Sequence, residues 1–243
     1  MALDRFGGRQ ESTPKGRRGD VVTAADVEVE RLVHGLLAAE FPDHAILSEE
    51  TAPHTEPSHG WVWVLDPIDG TKNYSLGIPF WCVNLALLHD GEPQLGITYD
   101  AVRDEEFRAT AGGGAWCGEA RLRASSSPDV RSSVLGMDLG YDDALGARQI
   151  ALMGTIFPHV QTIRILGSAA LAFAYAAAGR LDMFTHTNVA AWDIAAGMLL
   201  VQEAGGLALD RDGSPIRITS TAFAAGGVRV VEDFMRTYVQ ALS

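Results

Sequence analysis

Residues 63–74 read WVLDPIDGTKNY. An apolar run, Trp63 to Leu65, drives into two aspartates, Asp66 and Asp69, separated only by a proline and an isoleucine. Two unpaired carboxylates held close together repel, and the repulsion pushes at least one pKa upward. Pro followed by Asp-Gly is also a common turn signature, and a turn needs no chemistry. Local geometry points further. Pro67 biases Asp66 toward extended backbone and Gly70 permits a sharp change of direction, so both carboxylates and the Ile68 carbonyl can converge on one side. That all-oxygen set suits a hard divalent cation such as Mg²⁺, and Thr71 places a hydroxyl just beyond it, where it can hold a water.

Other carboxylates stand in comparable places. Glu49 and Glu50 follow the short apolar run Ala45-Ile46-Leu47, as Asp66 follows its own, although Glu50 reads best as part of a solvated acidic loop. Asp193 opens a helix expected over Ile194 to Ala204, which Gly205-Gly206 stop. There it is either a plain N-cap or a ligand beside a helix N-terminus, where a phosphate can sit. Asp26 ends the capping-box spacing Thr23-Ala-Ala-Asp26, ahead of a helix from Ala24 to Glu40 whose Val29, Leu32, Val33, Leu36 and Leu37 recur at helical intervals. Taken singly, each of these carboxylates is explained as structure.

The frame around them is that of a folded domain. A chain of 243 residues, 47% hydrophobic, buries a substantial core, and we expect residues 1–243 to form a single domain whose first 19 residues are flexible. A net charge of -12 opposes nonspecific binding to nucleic acid or to an anionic membrane. Two cysteines without CxxC spacing suggest neither a zinc site nor a disulfide framework, and fit a cytoplasmic location. The opening residues lack the apolar core of a secretory signal, and the small-residue run SAALAFAYAAAG is too short to span a bilayer.

Strands are expected at Trp61 to Leu65 and at Phe80 to Leu88 and Gln94 to Tyr99, the last two flanking the hairpin signal in HDGEP, with Glu106 to Thr110 and a bend at Gly112 to Gly114 continuing the meander. Helical patterns cover Tyr141 to Phe157 and Ser168 to Ala178, with Ser168 as the cap of the second. Short strands at LALD, IRI and Arg229 to Val231 precede a final helix ending near Leu242. Trp61, Trp63 and Trp81 at strand positions read as core. Runs of helix and of antiparallel strand, without strict alternation, indicate a layered α+β fold.

LSEE at 47–50, WVLDPIDGTKNY at 63–74 and AWDIAAGMLLVQEAGG at 191–206, with the weaker DVVTAAD at 20–26 and LGSAAL at 166–171, resemble in order and spacing the signatures of the inositol monophosphatase family of metal-dependent, lithium-sensitive phosphomonoesterases. The resemblance runs from about Lys15 to the end of the chain. It implies a layered α-β-α-β-α sandwich, commonly a homodimer. It also implies that Glu49, Asp66 and the Ile68 carbonyl hold one Mg²⁺, that Asp66, Asp69 and Asp193 hold a second, and that a third, weaker ion finds room near Glu49. Thr71, paired with Asp26, would orient and help deprotonate the attacking water. Asp69, Gly70, Thr71, Gly167, Ser168, Ala169, His186 and Asp193 would face a small phosphate ester, with Lys15 where the family carries a mobile-loop lysine.

Two positions depart from the pattern. The inositol-specific enzymes carry a glutamate seven positions before the WD aspartate, and here that residue is His186, which cannot act as a permanently anionic acceptor. A surface-loop histidine without contacts explains it equally. ALDRFGG looks like only the last turn of the helix expected before the basic segment. Inositol monophosphate is thus the substrate named first, with histidinol phosphate, fructose 1,6-bisphosphate and 3'-phosphoadenosine 5'-phosphate as alternatives within the same chemistry. A non-catalytic binding protein is the rival from another class.

Overall fold

The computed structural model describes residues 1–239. The chain opens with one helical turn, α1 (Ala2–Arg5), and a ribbon of β1 (Thr13–Pro14) against β2 (Val21–Val22). Helix α2 (Ala24–Glu40) begins as its capping box dictates: the Asp26 carboxylate accepts from the Thr23 N–H, and the Thr23 hydroxyl from the Ala25 N–H. A seven-stranded sheet follows. Strand β3 (Ala45–Ser48) runs parallel to β4 (Trp61–Asp69), and after the short helix α3 (Thr71–Leu76) the strands β5 (Cys82–His89), β6 (Glu92–Asp100), β7 (Glu105–Thr110), β8 (Gly114–Cys117) and β9 (Ala120–Arg121) add on antiparallel, in chain order. The hairpin in HDGEP turns at Asp90-Gly91, both at positive φ, as a two-residue loop of matching twist requires.

The second half builds a smaller sheet from β10 (Val134–Met137), β11 (Thr162–Arg164), β12 (Met183–His186), β13 (Leu207–Leu209) and β14 (Phe223–Gly226), in the order β11-β10-β12-β14-β13. β10, β11 and β12 are parallel, whereas β14 is antiparallel to both of its neighbours. Helices α4 (Asp143–Ile156), α5 (Ala169–Ala177), α6 (Ala191–Glu203) and α7 (Val228–Phe234) complete the chain, α7 widening into a π-type turn over Met235–Val239.

Helices α5 and α6 lie between the two sheets. Their Ala170–Ala174 and Leu199–Val201 faces meet Phe107, Ala109 and Ala115 on one side and Phe184, Phe223 and Ala225 on the other. On the far face of the large sheet, Ala25 and Val29 of α2 pack with Ile68 and Trp81. On the far face of the small sheet, Leu152, Ile156, Val230 and Phe234 cover Leu135, Met137 and Met183. The result is the expected α-β-α-β-α sandwich. No described helix is long and apolar enough to cross a membrane.

Several local expectations change. The DPID stretch is no turn: β4 runs on to Asp69 through a register shift against β5 between Asp66 and Asp69. Pro67 can sit in the strand because the bulge leaves it without a ladder bond to make. Ile216–Ile218 forms no strand, and Arg229–Val231 belongs to α7; the strand there is Phe223–Gly226. The expected helix end near Leu242 lies outside the described residues. Trp61 is exposed, unlike Trp63 and Trp81. The glycine bend at 112–114 is closed to anions, because the N–H groups of Gly112 and Gly114 donate to the Glu203 carboxylate. The opening segment makes contacts of its own: Ala2 is buried, its carbonyl accepts from the Tyr74 hydroxyl at 2.9 Å, Phe6 packs on Tyr74 and Trp81, and the Gln10 N–H donates to the Ser75 carbonyl at 2.8 Å.

The two central helices approach closely because residue 197 has no side chain. A Cβ there would lie 2.4 Å from the Phe173 ring, which is buried and stacked on Phe223 at 4.5 Å. Gly197→Ala is expected to lower unfolding free energy by roughly 1–3 kcal/mol, the range typical of overpacking, in a urea titration. An unchanged midpoint would contradict this packing.

Candidate metal centre and active site

Asp66, Asp69 and Asp193 meet where the large sheet, α5 and α6 converge. One carboxylate oxygen from each lies within 4.8 Å of the others. Sequence-distant elements hold them there. The β4 bulge turns Asp66 and Asp69 inward, and Asp193 sits on the first turn of α6, which Asn84 ties to β5 by donating to the Trp192 carbonyl at 2.6 Å. Gly70, at φ 90°, then swings the chain into α3; a Cβ there would lie 3.0–3.2 Å from Ser168, Gly167 and Phe80 atoms.

Asp69 also caps α5 from outside. Its carboxylate accepts from the N–H groups of Ala169 at 3.2 Å and Ala170 at 2.9 Å, and from the Ser168 hydroxyl. Ser168 is therefore not the side-chain cap its position suggested: its hydroxyl is spent on Asp69. Asp193 is likewise not an N-cap but the third residue of its helix, reaching back to accept from the Ala190 N–H at 2.7 Å. A common capping role and a common site coexist in one carboxylate.

Burial is the largest influence on all three. It pushes the pKa of Asp66 well up, with Glu49, Asp69 and Asp193 adding repulsion. Asp193 is pushed well up by burial and then by Asp69. Asp69 is raised by burial but held back by the Ser168 hydroxyl and the α5 amides. Among the described residues no basic side chain pairs with any of the three. A buried, all-oxygen, uncompensated anionic set fits a hard divalent cation.

Glu49 lines the same cavity, but its carboxylate is paired with Lys15 Nζ at 2.7 Å and stands outside the three-carboxylate group. Glu50 is not solvated: its side chain bonds Lys15, and its N–H donates to Glu30 at 2.9 Å. Glu30, which sequence reading passed over, is buried and also accepts from the Ser48 hydroxyl, so it fixes the loop that carries Glu49. The Thr71 hydroxyl lies 2.9 Å from both Asp26 Oδ1 and the Ile68 carbonyl. Asp26 keeps its capping bonds as well, and burial raises its pKa.

A cavity of about 440 Å³ opens over these groups. Gly70, Gly167, Ser168, Ala169 and His186 all line it. His186 is not a surface-loop residue: it ends β12, is buried, and burial pushes its pKa down to about 4. Asn73 donates to the Phe80 and Leu166 carbonyls, both at 2.8 Å, and so locks the Gly167 loop against α3. Asp138 and Tyr141 are cavity residues that the motif left unmarked. Burial raises Asp138 to about 7 and pushes the Tyr141 hydroxyl far up.

Residues 2–241 match the inositol monophosphatase family. The chain is 36% identical over 225 residues to the Nus factor SuhB of Pasteurella multocida, covering 92% of this chain and 84% of that one. It is 34% identical over 229 residues to an inositol-1-monophosphatase of Mesorhizobium japonicum, covering 93% and 85%. The solved structure of a Thermotoga maritima IMPase superposes with a TM-score of 0.89 at 31% identity, over 99% of this chain and 91% of that one. From the DPIDGT bulge to the last strand of the small sheet, this chain belongs to the inositol monophosphatase family.

Proposed function

We propose that this chain is a Mg²⁺-dependent phosphatase of small phosphate monoesters, with inositol monophosphate as the first candidate substrate. The observation that carries the reading is the buried cluster of Asp66, Asp69 and Asp193 at the floor of an open cavity. A phosphate monoester cannot approach that floor against like charge unless cations stand between them, so ion and substrate binding are one requirement.

Bound ions supply positive charge that lowers the pKa of a water, offsets the phosphate oxygens and stabilises the departing alkoxide. Asp66, Asp69 and Asp193 would hold one ion, and Asp66, Glu49 and the Ile68 carbonyl another, with a third near Glu49 once that carboxylate leaves Lys15. Thr71 orients the attacking water through its hydroxyl oxygen. Asp26, 2.9 Å behind it and made more basic by burial, receives the proton that Thr71 passes on. The N-terminus of α6 faces the cavity and favours the phosphate. Gly167, Ser168, Ala169 and His186 face the alcohol. Lithium sensitivity, a cytoplasmic location and a homodimer complete the reading.

A second reading draws on the relative named a Nus factor: a role with a macromolecular partner, beside or instead of catalysis. The -12 charge weighs against direct nucleic-acid contact, which makes a protein partner the form it would take. Phosphate release from inositol 1-phosphate, histidinol phosphate, fructose 1,6-bisphosphate and 3'-phosphoadenosine 5'-phosphate, with and without Mg²⁺ and Li⁺, separates the two. Asp66→Asn is expected to reduce turnover by well over tenfold. Full activity in that variant, or none in the wild type with Mg²⁺ or Mn²⁺, would overturn the phosphatase reading.

Stability supplies an independent check. Burial raises the folded-state pKa of Asp66, Asp69 and Asp193, so the ion-free folded chain binds more protons than the unfolded one and loses stability as pH rises above the ordinary carboxylate range. His186 acts oppositely, destabilising the fold as pH falls from 6.5 toward about 4. Saturating Mg²⁺ is therefore expected to raise the melting temperature more at about pH 7.5 than at about pH 5.5. Equal shifts at both pH values, read by scanning fluorimetry, would exclude ion binding at these carboxylates.

A further inference from the structure

Strands β10 and β12 are parallel neighbours with Met137 opposite Thr185, so Asp138, just past the end of β10, comes beside His186, the last residue of β12. Both line the cavity, and both are more than nine-tenths buried, at 6% and 5% exposure. Neither is assigned to the ion cluster. The Asp138 carboxylate accepts from the Gly167 N–H at 2.9 Å, and the Leu166 and Leu139 amides also bear on it; among the described residues it meets no side-chain donor and no cation. A carboxylate offers about four acceptor positions, so it retains capacity toward the cavity.

His186 complements it. Its Nδ1 accepts from the Asn188 N–H at 3.1 Å, which fixes the neutral tautomer with the proton on Nε2. That Nε2–H finds no partner in the described residues, yet it is not among their sealed, unsatisfied buried atoms, so it opens to the cavity. Gly140 gives the imidazole its place: at φ 64°, a Cβ there would lie 3.1 Å from His186 Cε1 and 3.0 Å from Asn188 Cβ. The wall thus presents side by side one carboxyl with acceptor capacity left over and one fixed neutral donor.

We propose that Asp138 and His186 together read a pair of neighbouring hydroxyls on the leaving alcohol, one hydroxyl donating to Asp138 and the next accepting from His186 Nε2–H. Its name for the alcohol as a polyol or sugar rests on the phosphatase reading. An ammonium group would suit the carboxylate alone and leave the imidazole donor facing a cation, whereas a diol satisfies both. The two residues act on affinity and orientation and take no part in breaking the phosphate ester.

The test compares inositol 1-phosphate with phenyl phosphate, whose leaving group has no neighbouring hydroxyl, in the Mg²⁺-loaded wild type and in Asp138→Ala, Asp138→Asn, His186→Ala and His186→Gln, the conservative pair guarding against misfolding. Saturation-transfer NMR with free inositol runs alongside. Expected are a rise in KM of about tenfold or more for inositol 1-phosphate in both alanine variants, kcat within about twofold, phenyl phosphate barely affected, partial rescue by His186→Gln, and loss of the inositol signal in Asp138→Ala. Equal losses on both substrates, or no loss on either, would overturn the pair. If the wild type hydrolyses nothing, the phosphatase reading falls and the NMR decides alone: an inositol signal dependent on Asp138 supports the subsite, and its absence overturns it.

Discussion

Repulsion among three buried carboxylates is the constraint to which the rest of the molecule answers. Asp66, Asp69 and Asp193 come from two elements more than a hundred residues apart, and among the described residues no basic side chain pairs with them. Holding them in place takes a bulged strand, a helix capped from outside and a second helix anchored by Asn84. Each device is a way to fix an unfavourable arrangement that a cation could compensate. The hydrophobic work is done elsewhere, in the Ala-rich layer between the sheets, which leaves the cluster at the one place where sheet ends and helix starts meet.

Much of this was legible in the chain. The α2 boundaries, the DG hairpin and the layered class followed from local rules that hold whatever the tertiary setting. The cation reading of DPIDGT followed from asking why like charges should adjoin a buried strand. The length of the strand is not legible there, because Pro-Ile-Asp-Gly carries turn chemistry and only pairing with β5 shows a bulge instead. Arg229–Val231 was read as strand because three residues carry too little periodicity to separate it from a short helix.

The site was legible in its motif residues and not in its supports. Asp138, Glu30 and Asn73 carry no signal in one dimension: an aspartate after a short strand, a glutamate in mid-helix and an asparagine after a motif are ordinary. Their importance arises from what the fold sets beside them, such as Gly167, Ser48 and Leu166. His186 shows the same limit from the other side. Its departure from the family pattern was visible, but whether it faced solvent or a cavity depended on β12 pairing with β14. Family membership thus bears on the class of chemistry more than on the identity of the alcohol or partner, since function resides in the site and its walls.

The double use of Asp69 ties two parts of the cavity into one equilibrium. The same carboxylate that belongs to the three-aspartate cluster accepts the first amides of α5 and the Ser168 hydroxyl, and the Gly167–Ala169 wall hangs on those bonds. A cation bound at Asp69 would draw charge from it and weaken its hold on the helix, and a helix pulled tighter onto Asp69 would make it a poorer ligand. By reciprocity, whatever strengthens one partner's claim on that carboxylate must be felt by the other to the same degree. The floor and the wall of this cavity are therefore thermodynamically a single responsive unit.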